Sequence, residues 1–110
     1  MVILKNINKL VRNNIPDIIK NSNGSPIFRI LSEDEFVIAI FDKFYEEIEE
    51  VKSSRGASRC EELADMIELI NTLAILEGKN LDHIIELSKL KTQTNGSFDN
   101  RIFLKKINYE

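Results

Sequence analysis

Two short runs of the chain hold paired carboxylates at helical spacing, Glu46-Glu47-Ile48-Glu49-Glu50 and Glu61-Glu62-Leu63-Ala64-Asp65. At about 100° per residue, a helical wheel decides which of these acids face inward. In the first run the apolar stripe is read as centred near Phe44 and Ile48, with Glu47 about 80° away and Glu50 about 140° away on the same side. Glu46 is turned nearly opposite. In the second run, with the stripe centred near Leu63 and Ile70, Glu62 lies about 70° away and Asp65 about 130° away on the same side. Both helices thus carry one acid at the edge of the apolar face and a second three residues on. Packed as an antiparallel hairpin, they bring four carboxylates together. Such a cluster repels itself unless neutralised, and hard oxygen ligands of this kind suit Mg²⁺ or Mn²⁺. The bland alternative is two solvated helix faces, since acids at i, i+3 are common on exposed helices.

The elements that must position these acids are legible from periodicity and breakers. Ser32 with Glu35 three residues on forms a capping box that opens a helix over 33–53, with Val37, Ile40, Phe41, Phe44, Ile48 and Val51 as its stripe. Residues 53–56 form a turn, a second helix covers about 57–77, and Gly78 is its C-cap. A third helix begins at Asn80 and stops at Asn95-Gly96-Ser97. Upstream, Asn13-Asn14-Ile15-Pro16 starts a short helix running to about Lys20, with an Asn cap. The β-rich runs 27–31 and 101–107 read as two short strands paired with each other. The expected fold is mainly α with a small β-sheet, in one domain spanning residues 1–110.

At 110 residues and 12.7 kDa there is room for a single core. No apolar run approaches the roughly 20 residues of a membrane span, and the opening lacks a signal-peptide core. A lone Cys60 leaves neither a disulfide framework nor a thiolate zinc site. A cytoplasmic protein is expected. The net charge of −3 is unevenly spread: residues 33–77 hold 13 of 18 acids against four bases, whereas residues 1–30 hold five bases and one acid. An acidic middle between basic ends suits a site for cations and then for an anion, and scattered Lys and Arg argue against a nucleic-acid polymer as partner. Phe36, Phe41, Phe44 and Tyr45 are too many aromatics for one helix to bury alone, so a homo-oligomer face is expected.

The chain resembles the MazG-like all-α nucleoside triphosphate pyrophosphohydrolases. Their signature, Glu-x-x-Glu on one helix and Glu-x-x-Asp on the next, matches Glu47 to Glu50 and Glu62 to Asp65. The surrounding text is similar to the small phosphoribosyl-ATP pyrophosphohydrolase-like subgroup, through Lys9-Leu10-Val11-Arg12 with Ile15-Pro16, Phe28-Arg29-Ile30-Leu31, Glu61 to Asp65, and Gly96 to Leu104. It departs at Asn13, where the subgroup usually has Asp, and at Asn95-Gly96-Ser97, where a basic residue and two glycines are common.

The resemblance implies a helical hairpin that completes a four-helix bundle in a homodimer or tetramer. It also implies hydrolysis of a nucleotide between its α and β phosphates, giving a monophosphate and pyrophosphate. Glu47, Glu50, Glu62 and Asp65 would hold Mg²⁺ or Mn²⁺, and Glu47 or Glu50 would orient or deprotonate the attacking water. Glu46 is a weaker candidate for that role. Arg12 leads the candidate phosphate contacts, with Lys9, Lys91, Arg101 and Lys105 as further cations, and Asn71 either reaches a base or ribose or caps a helix–helix contact. His83 and Cys60 read as surface and structural residues. The rival reading is a non-catalytic dimeric helical module that binds a nucleotide or a protein partner.

Overall fold

The computed structural model describes residues 6–109, which contain four helices: α1 (Ile15–Asn21), α2 (Glu33–Ser53), α3 (Ala57–Leu76) and α4 (Leu81–Asn95). The chain is mainly helical, and the long helices fall where periodicity and capping place them. The box at the start of α2 is complete: the Glu35 N–H donates to Ser32 Oγ at 3.3 Å, and the Ser32 N–H donates to Glu35 Oε1 at 3.1 Å. Gly78 takes φ 73° just beyond α3, a region that L side chains rarely adopt. Its N–H donates to the Ile75 carbonyl at 2.9 Å and the Lys79 N–H to the Ala74 carbonyl at 2.8 Å, the double closure of a Schellman motif. At α1 the expected cap differs, because the Asn14 side chain makes no capping bond and the Ile15 N–H donates instead to the Arg12 carbonyl at 3.1 Å.

Neither expected strand forms among the described residues. Residues 27–31 and 101–107 carry no ladder, so the small sheet is absent. An isolated strand pair is marginal in water without a face to pack on. Here Ile27 and Ile30 stand 96% and 87% exposed, and Arg29 folds back to bind Glu35 with two nitrogens.

α2 packs against α3, and α3 against α4, while α1 packs on no other helix. The molecule extends over 72 × 33 × 23 Å with a radius of gyration of 19.0 Å, whereas a compact domain of this length has a radius near 13 Å. Ile40, Leu69 and Ala74 are the buried apolar residues among those described. The buried lines also differ in angle from the sequence reading. On α2 the line runs through Ile40 and Glu47, about 60° from the expected centre, and Ile48 is exposed. On α3 Leu69 and Ala74 are buried and Leu63 is exposed. In a hairpin turning at residues 54–56, residue numbers summing to about 109 stand level, which sets Ile40 opposite Leu69 and Glu47 opposite Glu62.

Candidate metal centre

The rotation of α2 carries Glu47 from the flank of the packed face almost to its middle. Its side chain is 6% exposed, and it is the buried charged residue among those described. One carboxylate oxygen each of Glu47, Glu62 and Asp65 lies within 4.8 Å of the others. Oxygens bound to a common Mg²⁺ sit no more than about 4.2 Å apart, so small side-chain rotations bring the three onto one ion. Glu47 Oε2 is buried with no hydrogen-bond partner. An orphaned acceptor beside two further carboxylates leaves a cation or a proton as its natural complement.

The electrostatics agree with that geometry. The Glu47 carboxyl is pushed up from 4.5 to about 7, first by burial and then by the adjoining Glu62 carboxyl and the charge of Asp65. Lys43, whose Nζ lies 4.0 Å from Glu47 Oε1 one turn away, opposes the shift. Without an ion the Glu47 carboxyl takes up a proton as pH falls through about 7.

Of the four acids expected to converge, three do so. Glu50 is exposed and stands outside the group. With the packed face centred on Ile40 and Glu47, an acid three residues beyond Glu47 points to the rim, about 80° off. Glu46 differs in the other sense: it is half-buried and accepts from Lys9 Nζ at 2.9 Å and from Lys43 Nζ at 3.2 Å. The Lys9 ammonium is held above its ordinary 10.5 by that hydrogen bond, with Glu50 and Glu47 adding smaller contributions. Lys43 escaped the sequence reading, although its i, i+3 and i, i+4 relation to Glu46 and Glu47 was a usable signal.

Arg12 reaches the centre directly, its Nη2 donating to Asp65 Oδ1 at 2.8 Å. Residues 9–12 therefore strap across the α2–α3 hairpin and place two cations beside its acids. Asn71 lies nearly two turns beyond Asp65 and turns to α4, where its Oδ1 accepts the Leu81 N–H at 3.0 Å. Together with Asn80 Oδ1, which accepts from the His83 N–H at 3.0 Å, it closes two of the free N–H groups at the start of α4. Asn71→Ala is expected to cost about 1–2 kcal/mol and to lower the thermal midpoint by several degrees. Its Mg²⁺ affinity should stay within twofold of the parent on calorimetry, because the contact lies away from the acids.

Arg101 sits in the C-terminal arm at φ 59°, with its N–H donating to the Phe98 carbonyl at 3.1 Å and no bond to the acidic group. Cys60 is free and exposed, and His83 is exposed at the start of α4.

No protein-family model matches the chain, and no solved structure matches it. Among curated proteins it is similar to an uncharacterized protein of Mycolicibacterium smegmatis, with 39% identity over 46 residues, covering 42% of this chain. The chain spans about half the length of that relative, 47% of it. No helix among the described residues is long and apolar enough to cross a membrane.

Proposed function

We propose that this chain is a metal-dependent nucleotide pyrophosphohydrolase of the MazG-like type, acting in the cytoplasm as a homodimer or tetramer and cutting between the α and β phosphates. The observation that carries the reading is the convergence of Glu47, Glu62 and Asp65 from two antiparallel helices, with a buried carboxylate oxygen left without a partner. They are three of the four acids in the signature of the family that the sequence resembles.

Glu47, Glu62 and Asp65 would hold a Mg²⁺ or Mn²⁺ ion, which would supply neutralising charge for phosphate oxygens and lower the pKa of a water. The remaining work falls to the chain itself. Glu50, exposed at the rim one turn from Glu47, is free to orient the attacking water and accept its proton. Arg12 and Lys9 stand beside the acids, paired with Asp65 and Glu46. An incoming triphosphate competes with Asp65 for the Arg12 guanidinium, whose fork binds phosphate as well as carboxylate. The basic strap thereby passes from an acid partner to the substrate as it binds.

Pyrophosphate release from a panel of ribo- and deoxyribonucleoside triphosphates, canonical and modified, tests the reading in Mg²⁺ or Mn²⁺ against an EDTA blank. Metal-dependent release from any member is the expected result. Silence across the panel, in a protein that still binds Mg²⁺ on calorimetry, favours the non-catalytic module. Silence without metal binding reduces the acids to surface charge.

A further inference from the structure

Beyond α4 the chain runs through Gly96 into an irregular arm, residues 97–109, whose hydrogen bonds among the described residues are internal: Ser97 Oγ donates to Asp99 Oδ1, and the Arg101 N–H to the Phe98 carbonyl. It carries large apolar side chains that are mostly open to solvent. Phe98, Ile102, Phe103 and Tyr109 are each more than 80% exposed. No isolated chain gains by holding such a segment in water.

Three observations identify what covers it. The first is area. The chain exposes 10296 Å², against about 6,200 Å² for a folded monomer of its mass. The excess of about 4,000 Å² in one chain more than covers a permanent interface, in which each partner buries about 1,000–2,500 Å². The second is charge. The arm holds Arg101, Lys105 and Lys106 against Asp99, a net +2, whereas α2 has eight acids and two bases and α3 four acids and one base, together −9. Two hairpins of that charge placed face to face repel, and a basic segment between them relieves the repulsion. The third is placement. α4 packs on α3 and on no other helix, and among the described residues the arm makes no hydrogen bond to its own hairpin. Meanwhile Tyr45, Ile48, Leu63 and Ile67 on α2 and α3 remain 40–68% exposed.

We propose that the arm is exchanged between two copies of this chain, its apolar side chains lying on the exposed flank of the second copy's α2–α3 hairpin and its cations reaching that copy's acidic centre. Each copy carries both the arm and the surface that receives it, so a twofold pair closes with two identical contacts. The acidic centre is then complete only in the pair: Arg12 comes from its own chain, and Arg101 or Lys105 from the other. This deepens the proposed hydrolase reading by naming the source of its second set of phosphate-binding cations. It rests on the acidic centre but not on turnover.

The test mixes full-length chain at natural isotope abundance with chain labelled uniformly with ¹⁵N, equilibrates the mixture, and applies a zero-length carbodiimide coupler. That reagent joins Lys105 or Lys106 to a carboxylate in salt-bridge contact, and mass spectrometry reads the linked peptides. The expected result is linkage between arm lysines and α2 or α3 acids in light–heavy pairs, alongside a solution mass twice 12.7 kDa. Phe103→Asp should abolish the mixed pairs and halve the mass with unchanged helical circular dichroism. Linkage confined to light–light and heavy–heavy pairs overturns the proposal, since the arm then lies on its own chain. A dimer without arm linkage, or a monomer, overturns it as well. Because none of these readouts uses nucleotide, an arm that exchanges in a protein without pyrophosphate release separates this inference from the hydrolase reading.

Discussion

Glu62→Gln is expected to abolish the proposed metal-dependent turnover, by more than about 100-fold, and at the same time to raise the thermal midpoint of the metal-free protein. Outer-shell partners of a bound metal cost about 10–100-fold when removed, and a direct ligand costs more. The substitution keeps the volume of the side chain and takes away one negative charge beside buried Glu47. In the absence of metal that charge is a liability, because it helps push the Glu47 carboxyl to about 7. An amide at position 62 also brings a donor close to Glu47 Oε2, which has none. Loss of function together with a gain of metal-free stability is the mark of residues held together for binding rather than for folding. In the parent, Mg²⁺ at 100 times its dissociation constant should add about 2.7 kcal/mol of stability, and the variant should lose most of that increment. Thermal melts of both proteins in EDTA and in Mg²⁺ check this directly. A variant that turns over normally, or whose melting responds to Mg²⁺ like the parent's, removes Glu62 from the centre.

What the sequence made legible divides along physical lines. The limits of α2, α3 and α4 followed from local signals that the structure keeps: the Ser32–Glu35 box, the Gly78 closure and the Asn80 cap. Rotation about each helix axis was less legible. The stripe of α2 was centred on its largest apolar side chains, Phe44 and Ile48, but packing buries the line that meets α3, through Ile40 and Glu47. A hydropathy pattern cannot see which face the neighbour takes, and in a chain that buries so little the exposed apolar residues outweigh the buried ones in the pattern. That rotation explains both the burial of Glu47 and the outward position of Glu50. The strands failed for a different reason. Residues 27–31 and 101–107 have strand composition, but a ladder is a tertiary fact, and within one chain neither segment has a face to rest on. The Asn71 contact was left open by the sequence because an amide serves a nucleotide or a helix terminus equally well.

Titration of the centre gives the second large effect. Ligation of a metal by Glu47 would require the carboxyl without its proton, so Mg²⁺ binding below about pH 7 should release one, and affinity should rise up to tenfold per pH unit between about pH 5 and 7 before levelling off. Calorimetry in buffers of different ionisation enthalpy counts that proton. Metal-free stability moves the other way. The Glu47 carboxyl is raised from 4.5 to about 7 in the folded chain, so across that window the folded state binds more protons than the unfolded state, and stability falls as pH rises. Glu35 carries the opposite sign. Its bond to Arg29, aided by the Ser32 backbone and hydroxyl, holds it at about 2, so its contribution is present above about pH 4.5 and fades toward pH 2, and remains small because the pair is exposed. The metal-free midpoint should therefore climb from pH 2 to about 4.5 and decline from there to about 7. Excess Mg²⁺ should flatten the decline, because the ion replaces the proton that Glu47 gives up. If Mg²⁺ affinity is the same at pH 5.5 and pH 7.5, Glu47 is no ligand, and its burial needs another explanation.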